Sequence, residues 1–178
     1  MINIIVEKLV MFIYMNLKKK ENNSRIVKLR NDKIILSKED YLSIDKTFNR
    51  DIFYNKNNDK IMLKYKTKPE NNKSILFLAG FNDYIFYYHI TEKLLNLGYD
   101  IYCLVLRNYS EVIKEDLKEY TCYVENKNHY LEDMNLLIEQ IFNKNKDYQK
   151  TYICGHSTGG LIGTYYCHKG IYKDKING

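Results

Sequence analysis

Apolar and polar positions in the second half of the chain follow a recurring order. Ile75 to Ala79 is an unbroken apolar run closed by Gly80, the pattern of a strand buried on both faces. From Tyr84 to Leu97 the spacing changes. Ile90, Leu94 and Leu97 recur on one side, which predicts a helix, and Gly98 stands where such a helix would stop. Tyr99 to Leu106 is a second buried-strand run. Tyr130 to Phe142 is helical again, with Met134, Ile138 and Ile141 sharing a face. Thr151 to Gly155 reads as a third strand, and a further helix runs from near Thr158 to about Cys167. This alternation predicts an α/β fold: a mostly parallel sheet with helices on both faces, joined by right-handed crossovers.

The first half is less regular. Asp51–Tyr54 and Ile61–Tyr65 read as two short strands around the turn-rich string Asn55-Lys56-Asn57-Asn58-Asp59, and Pro69 to Lys73 as a loop. Arg25 to Leu36 alternates too loosely to assign. Leu9 to Met15 is a short apolar run followed by Lys18, Lys19 and Lys20, whereas a secretory signal carries its positive charge ahead of the apolar run. It is an amphipathic helix, a membrane-surface contact, a poorly ordered extension, or a strand or helix packed on the domain, the last being preferred. The expected organisation is an N-terminal extension over residues 1–50 and one domain over 51–178. Between Arg107 and His129 the chain is polar and mixed, with a short helix at Glu115–Glu119. That stretch falls near the carboxyl ends of the strands, where α/β sheets bind ligands, and it either lines a pocket or is a solvated excursion.

Composition narrows the function. Of 178 residues 45% are apolar and 28% charged, which suits one globular domain with a core. The net charge of +6 is spread among acidic and amide side chains. With no basic stripe, zinc spacing or RNA-binding motif, nucleic acid is not an expected partner. No GxxxxGK[ST] or GxGxxG occurs, and neither a cofactor nor a metal is expected. Cys103 and Cys154 lie in apolar runs expected to be adjacent buried strands. No pair, Cys122 and Cys167 included, has CxxC spacing, so the cytoplasm is the expected compartment. The skew towards Lys, Asn, Ile and Tyr matches AT-rich codons and hints at an AT-rich genome.

The sharpest chemical signal is Gly155-His156-Ser157-Thr158-Gly159, a G-x-S-x-G string between a strand and a helix. In such a nucleophile elbow the serine occupies a tight, strained turn that small neighbours allow to close, and its hydroxyl is lifted above the sheet edge. Free N–H groups at the helix start can face developing negative charge. A helix N-cap would explain Ser157 alone, but not Gly155, Gly159 and Gly160 around it. His156 is the variable position of the motif and is not assigned the role of base.

Together with Leu78-Ala79-Gly80-Phe81-Asn82-Asp83-Tyr84, the string Gly-His-Ser-Thr-Gly-Gly-Leu-Ile resembles the serine α/β-hydrolases of the lysophospholipase and monoglyceride-lipase type. The resemblance implies an ester hydrolase with Ser157 as nucleophile. It implies backbone N–H groups of Phe81 and Thr158 as the oxyanion hole, and Gly80, Asn82 and Asp83 as the turn that shapes it. Arg107 resembles the arginine that follows the next strand, and Asp133 a structural acid on the helix before the nucleophile strand. The implied ligand is an acyl-ester small molecule or a lipid.

The sequence departs from that pattern in three places. Ala79 stands where the family has His, Val105 where it has Asp, and Arg107-Asn108-Tyr109-Ser110 replaces a glycine-rich turn. Length is the larger departure. The triad order of the fold is Ser, then acid, then His, and only 21 residues follow Ser157. His168 and Asp174 come in the reverse order, and Ile176-Asn177-Gly178 reads as the lead-in to a sixth strand. The expectation is an incomplete α/β-hydrolase fold without the triad acid and histidine. Three origins are weighed: a truncated gene product, which is preferred, a fragment of a longer protein, or a non-catalytic product. A second chain completing the sheet and the triad is the implied partner.

Overall fold

The computed structural model describes residues 45–81, 88–109 and 111–178. The expectations at Leu9–Met15 and Arg25–Leu36, the first residues of the helix expected from Tyr84, and Asn82, Asp83 and Ser110 lie outside the described residues. A compact unit runs from Thr47 to Gly178.

Five strands form one mixed sheet: β1 (Asn49–Tyr54), β2 (Lys60–Lys66), β3 (Lys73–Leu78), β4 (Tyr99–Val105) and β5 (Lys150–Gly155), in the spatial order β1-β2-β4-β3-β5. β1 and β2 are an antiparallel hairpin. The Asn55 side chain closes its turn by accepting the N–H groups of Asn57 and Asp59 at 3.0 and 2.9 Å. β2 runs antiparallel to β4, while β3 is parallel to both β4 and β5. The three expected parallel strands are therefore present, with β3 at their centre. β3 ends at Leu78 rather than Ala79, and β4 at Val105 rather than Leu106. Cys103 and Cys154 are not on neighbouring strands, because β3 lies between them and Phe77 pairs with both.

Helix α1 (Tyr88–Asn96) connects β3 to β4, α2 (Asn128–Lys144) connects β4 to β5, and α3 (Thr158–Lys169) follows β5. The step from β3 to β4 and the step from β4 to β5 go in opposite directions along the sheet. Right-handed crossovers therefore place α1 and α2 on opposite faces. The sequence stripe for α1 is displaced. Its buried side chains are Thr91, Leu94 and Leu95, whereas Ile90 is half-buried and Leu97 exposed. Leu97 lies past the last helical residue, Asn96. Gly98 closes the helix at φ 85°, its N–H donated to Leu95 O. α2 buries Tyr130, Asp133, Met134, Leu137, Ile138 and Ile141 along one side, as the periodicity predicts.

The core is made of β3 and β4, whose residues Ile75–Leu78 and Ile101–Val105 are almost wholly inaccessible because both faces are covered. A charged cluster is buried beside it. Arg107, 3% exposed, donates to both carboxylate oxygens of the fully buried Asp133 and also meets Glu132 and Asp59. Asn55 donates to Asp133 as well. The knot ties the hairpin turn, the end of β4 and α2 together. The stretch after Arg107 is anchored rather than free: Tyr109, Val112 and Cys122 are buried, and Tyr130 Oη donates to Cys122 O at 2.6 Å. Its short 3-10 helix, Glu115–Tyr120, buries no side chain.

Candidate active site

The strand order reverses at β3, since its successor β4 lies on one side and β5 on the other. The crevice at the carboxyl ends of such strands is where open α/β sheets place ligands. Two segments meet there. One is Ala79-Gly80-Phe81, leaving β3, and the other is His156-Ser157-Thr158, leaving β5. Leu78 and Gly155 are register partners, and the N–H of His156 donates to Leu78 O at 3.2 Å.

Ser157 sits at the turn from β5 into α3 with φ 51° and ψ −118°, a left-handed conformation unfavourable for a residue with a Cβ. Its side chain is exposed. It occupies the N-cap position of α3, yet makes no side-chain capping bond, so capping does not explain the residue. Among the described residues none hydrogen-bonds its hydroxyl.

The glycines permit this geometry by close approach. A Cβ on Gly155 would lie 2.4 Å from the backbone of Gly159, and one on Gly159 would lie 2.4 Å from the carbonyl oxygens of Leu78 and Ala79. The head of α3 is thereby pressed onto the end of β3. Gly80 is next to the serine: a Cβ there would be 3.4 Å from Ser157 Cβ and 3.1 Å from His156 Nδ1. The loop carrying Phe81 thus passes alongside Ser157, and His156 covers Gly80.

At the helix head, the N–H groups of Gly159, Gly160 and Leu161 donate back to His156 and Ser157 carbonyls. The N–H of Thr158 stays outside that bonding, at the positive end of the helix. Two apolar residues of the segments that meet here are exposed, Phe81 at 65%, next to Gly80, and Leu161 at 72%, in the first turn of α3. Leu161 was not singled out by the sequence, where it reads as one apolar residue of a helix. The Cys154 thiol, two residues before the turn's histidine, is pushed up to about 11 by burial and stays protonated near neutrality.

The remaining sequence-flagged residues lie elsewhere. His168 is exposed on the last turn of α3, eleven residues past Ser157, roughly 16 Å along the helix axis. Asp174 lies in the short 3-10 helix Lys173–Lys175. His129 is in the first turn of α2, where its carbonyl accepts from Arg107. Arg107 and Asp133 hold each other. Burial opposes the guanidinium charge, but the bonds to Asp133 outweigh it and leave the arginine pKa above its ordinary value. Asn177 and Gly178 lie along the outer edge of β5: Asn177 N donates to Thr151 O, and Ile153 N donates to Gly178 O, each at 2.7 Å. No group of three or more metal-ligating side chains occurs among the described residues, and no described helix is long and apolar enough to cross a membrane.

The profile of a family described as serine aminopeptidase, S33, matches residues 69–178. No curated protein sequence matches the chain. Among solved structures it is similar to a monoglyceride lipase from Saccharomyces cerevisiae crystallised with a substrate analogue, with a TM-score of 0.60 and 20% identity over 73% of this chain and 42% of that one. It is similar to a thermostable carboxyl esterase from Bacillus coagulans, TM-score 0.61, 16% identity, over 74% and 42%. An epoxide hydrolase from Vigna radiata gives a TM-score of 0.54 at 21% identity, over 74% and 36%. The chain spans less than half the length of each of these structures and carries part of their shared fold.

Proposed function

We propose that this chain, which belongs to the serine aminopeptidase S33 family and has an α/β-hydrolase fold, carries the nucleophilic half of a site that hydrolyses carboxylic esters. The observation that carries the reading is Ser157 itself, exposed at φ 51° on a turn beside Gly80. In this reading Ser157 Oγ attacks the acyl carbon, and the backbone N–H groups of Phe81 and Thr158 stabilise the oxyanion of the tetrahedral intermediate. The exposed Phe81 and Leu161 favour a substrate with an apolar acyl group, a simple ester or a lipid such as a monoacylglycerol or lysophospholipid. Four cysteines outside any disulfide suit a cytoplasmic setting.

A serine hydroxyl needs a base within hydrogen-bond reach. His168 is too far along α3, His156 sits over Gly80, His129 belongs to the first turn of α2 and His89 to the first turn of α1, and none of the four is assigned as base. The general base and its acid therefore lie outside residues 1–178 in this proposal, and those residues alone turn over ester slowly or not at all. The test is hydrolysis of a short-chain chromogenic ester by the purified chain and by Ser157→Ala. Equal, near-background rates are expected. Robust turnover abolished in Ser157→Ala would place a base within this chain, and turnover surviving that substitution would reject Ser157 as nucleophile. A second reading, a non-catalytic interaction protein, is favoured by the absence of any described hydrogen bond to the Ser157 hydroxyl. It predicts that no added chain restores turnover.

A further inference from the structure

A cavity of about 230 Å³ lies at the amino edge of the parallel strands, at the opposite end of the sheet from Ser157. Against roughly 30 Å³ per water molecule it admits a ligand of about six to eight heavy atoms. Its walls include Tyr65 and Tyr102, stacked at 5.9 Å with 24° between planes, and Tyr148, edge-on to Tyr102 at 6.2 Å and 80°. Asp100 lines it too and is only 2% exposed.

The Asp100 carboxylate accepts from the backbone N–H of Lys68 at 2.9 Å, from Asn71 Nδ2 at 3.0 Å and from the Tyr148 hydroxyl. Tyr148 has one proton and gives it to Asp100, so Tyr102 is the donor in the 2.7 Å bond between the two hydroxyls. Burial, with the bond to Asp100, holds the Tyr148 phenol well above its ordinary pKa, so this donor persists. All three donors to Asp100 are electrically neutral, and no described cation pairs with it. A charge so held is poorly screened, and the lining tyrosine rings can add the negative potential of their faces. The mouth already seats one cation. Lys144 Nζ lies 4.6 Å from the Tyr65 ring centroid, donates to the Tyr65 hydroxyl at 3.2 Å and pairs with Asp51 at 2.8 Å. The other lining lysine, Lys68, directs its Nζ to Asn96 Oδ1 at 2.7 Å.

We infer that this cavity binds a small organic ammonium ion, seated on the tyrosine faces with Asp100 beneath it, in place of the Lys144 ammonium. The inference is independent of Ser157 chemistry. The experiment titrates the 178-residue protein with tetramethylammonium, and separately with propionate, following tyrosine ring resonances by NMR. Saturable binding of tetramethylammonium is expected, tightened about threefold in Lys144→Met, where the resident competitor is gone. Asp100→Asn should weaken it at least about tenfold. Because Asp100 also holds Lys68 and Asn71, that variant could unfold, and the surface substitution Lys144→Met then decides alone. An anion site shows the opposite sign, losing affinity when Lys144 is removed. Tighter binding of propionate, an unchanged or weaker cation affinity in Lys144→Met, or no saturable binding of tetramethylammonium would each overturn the inference.

Discussion

At Ser157 the backbone is held where only glycine rests without strain, at φ 51° and ψ −118°. The surroundings enforce this: Gly155 and Gly159 touch, α3 is seated on the end of β3, and the His156 N–H is bonded to Leu78. Conformations of this kind cost on the order of 1–3 kcal/mol. Replacing the serine by alanine keeps the Cβ and so the strain, whereas glycine removes it. Ser157→Gly is therefore expected to be more stable than Ser157→Ala by about 1 kcal/mol in urea unfolding, once the greater chain entropy of unfolded glycine is deducted. Equal stabilities, or alanine the more stable, would mean that the turn is relaxed. The comparison is independent of catalysis and tests the elbow even if no partner chain is at hand.

Elements whose evidence is local were legible in the sequence, and those that depend on distant pairing were not. β3, β4 and β5 could be read because covering both faces of a strand demands continuous apolar runs, and the hairpin turn because Asn55 to Asp59 can only be a polar turn. The elbow was legible for the same reason, its parts being contiguous. That Gly80 lies beside Ser157 depends on the register of Leu78 with Gly155, 77 residues apart, which no local pattern encodes. The Arg107 knot is of this second kind. Arg107 and Asp133 stood out only by resemblance, and Asn55 and Asp59 only as members of a polar turn. Nor did the buried ion pair of Lys64 and Glu111, whose atoms meet at 3.0 Å although Lys64 lies mid-strand. Since Arg107 and Asp133 are 3% and 0% exposed, deleting one leaves an uncompensated buried charge. Asp133→Ala is expected to lose about 3–5 kcal/mol. The double substitution with Arg107→Leu should lose less than the sum of the two single losses. Destabilisation below about 1 kcal/mol, from denaturant midpoints, would count against the knot as the brace between hairpin and α2.

For the whole molecule, the 18 tyrosines make high pH the condition under which its packing can be read. Burial raises the phenols of Tyr102 and Tyr130 from 10.0 to about 12, and those of Tyr109, Tyr148 and Tyr166 further in the same direction. These side chains belong to different regions. Tyr102 and Tyr148 line the cavity at the amino edge, Tyr109 and Tyr130 pack edge-on at 6.4 Å behind the Arg107 loop, and Tyr166 fills the space under α3. In the unfolded chain each loses its proton near pH 10, while the folded chain retains it. Above that pH the folded state binds more protons than the unfolded one, so stability falls as pH rises. The tyrosine contribution is intact below pH 10 and is lost progressively as pH rises through 12. Unfolding free energy should therefore drop steeply over that interval, and these five phenols should ionise with unfolding rather than before it. In Tyr148→Phe the drop should be shallower, because one of the protons that unfolding releases is no longer there. These five phenols ionising at pH 10 in a chain that remains folded would show that the sheet's two ends are open to water, and with that the closed packing around β3 and β4 would have to be abandoned.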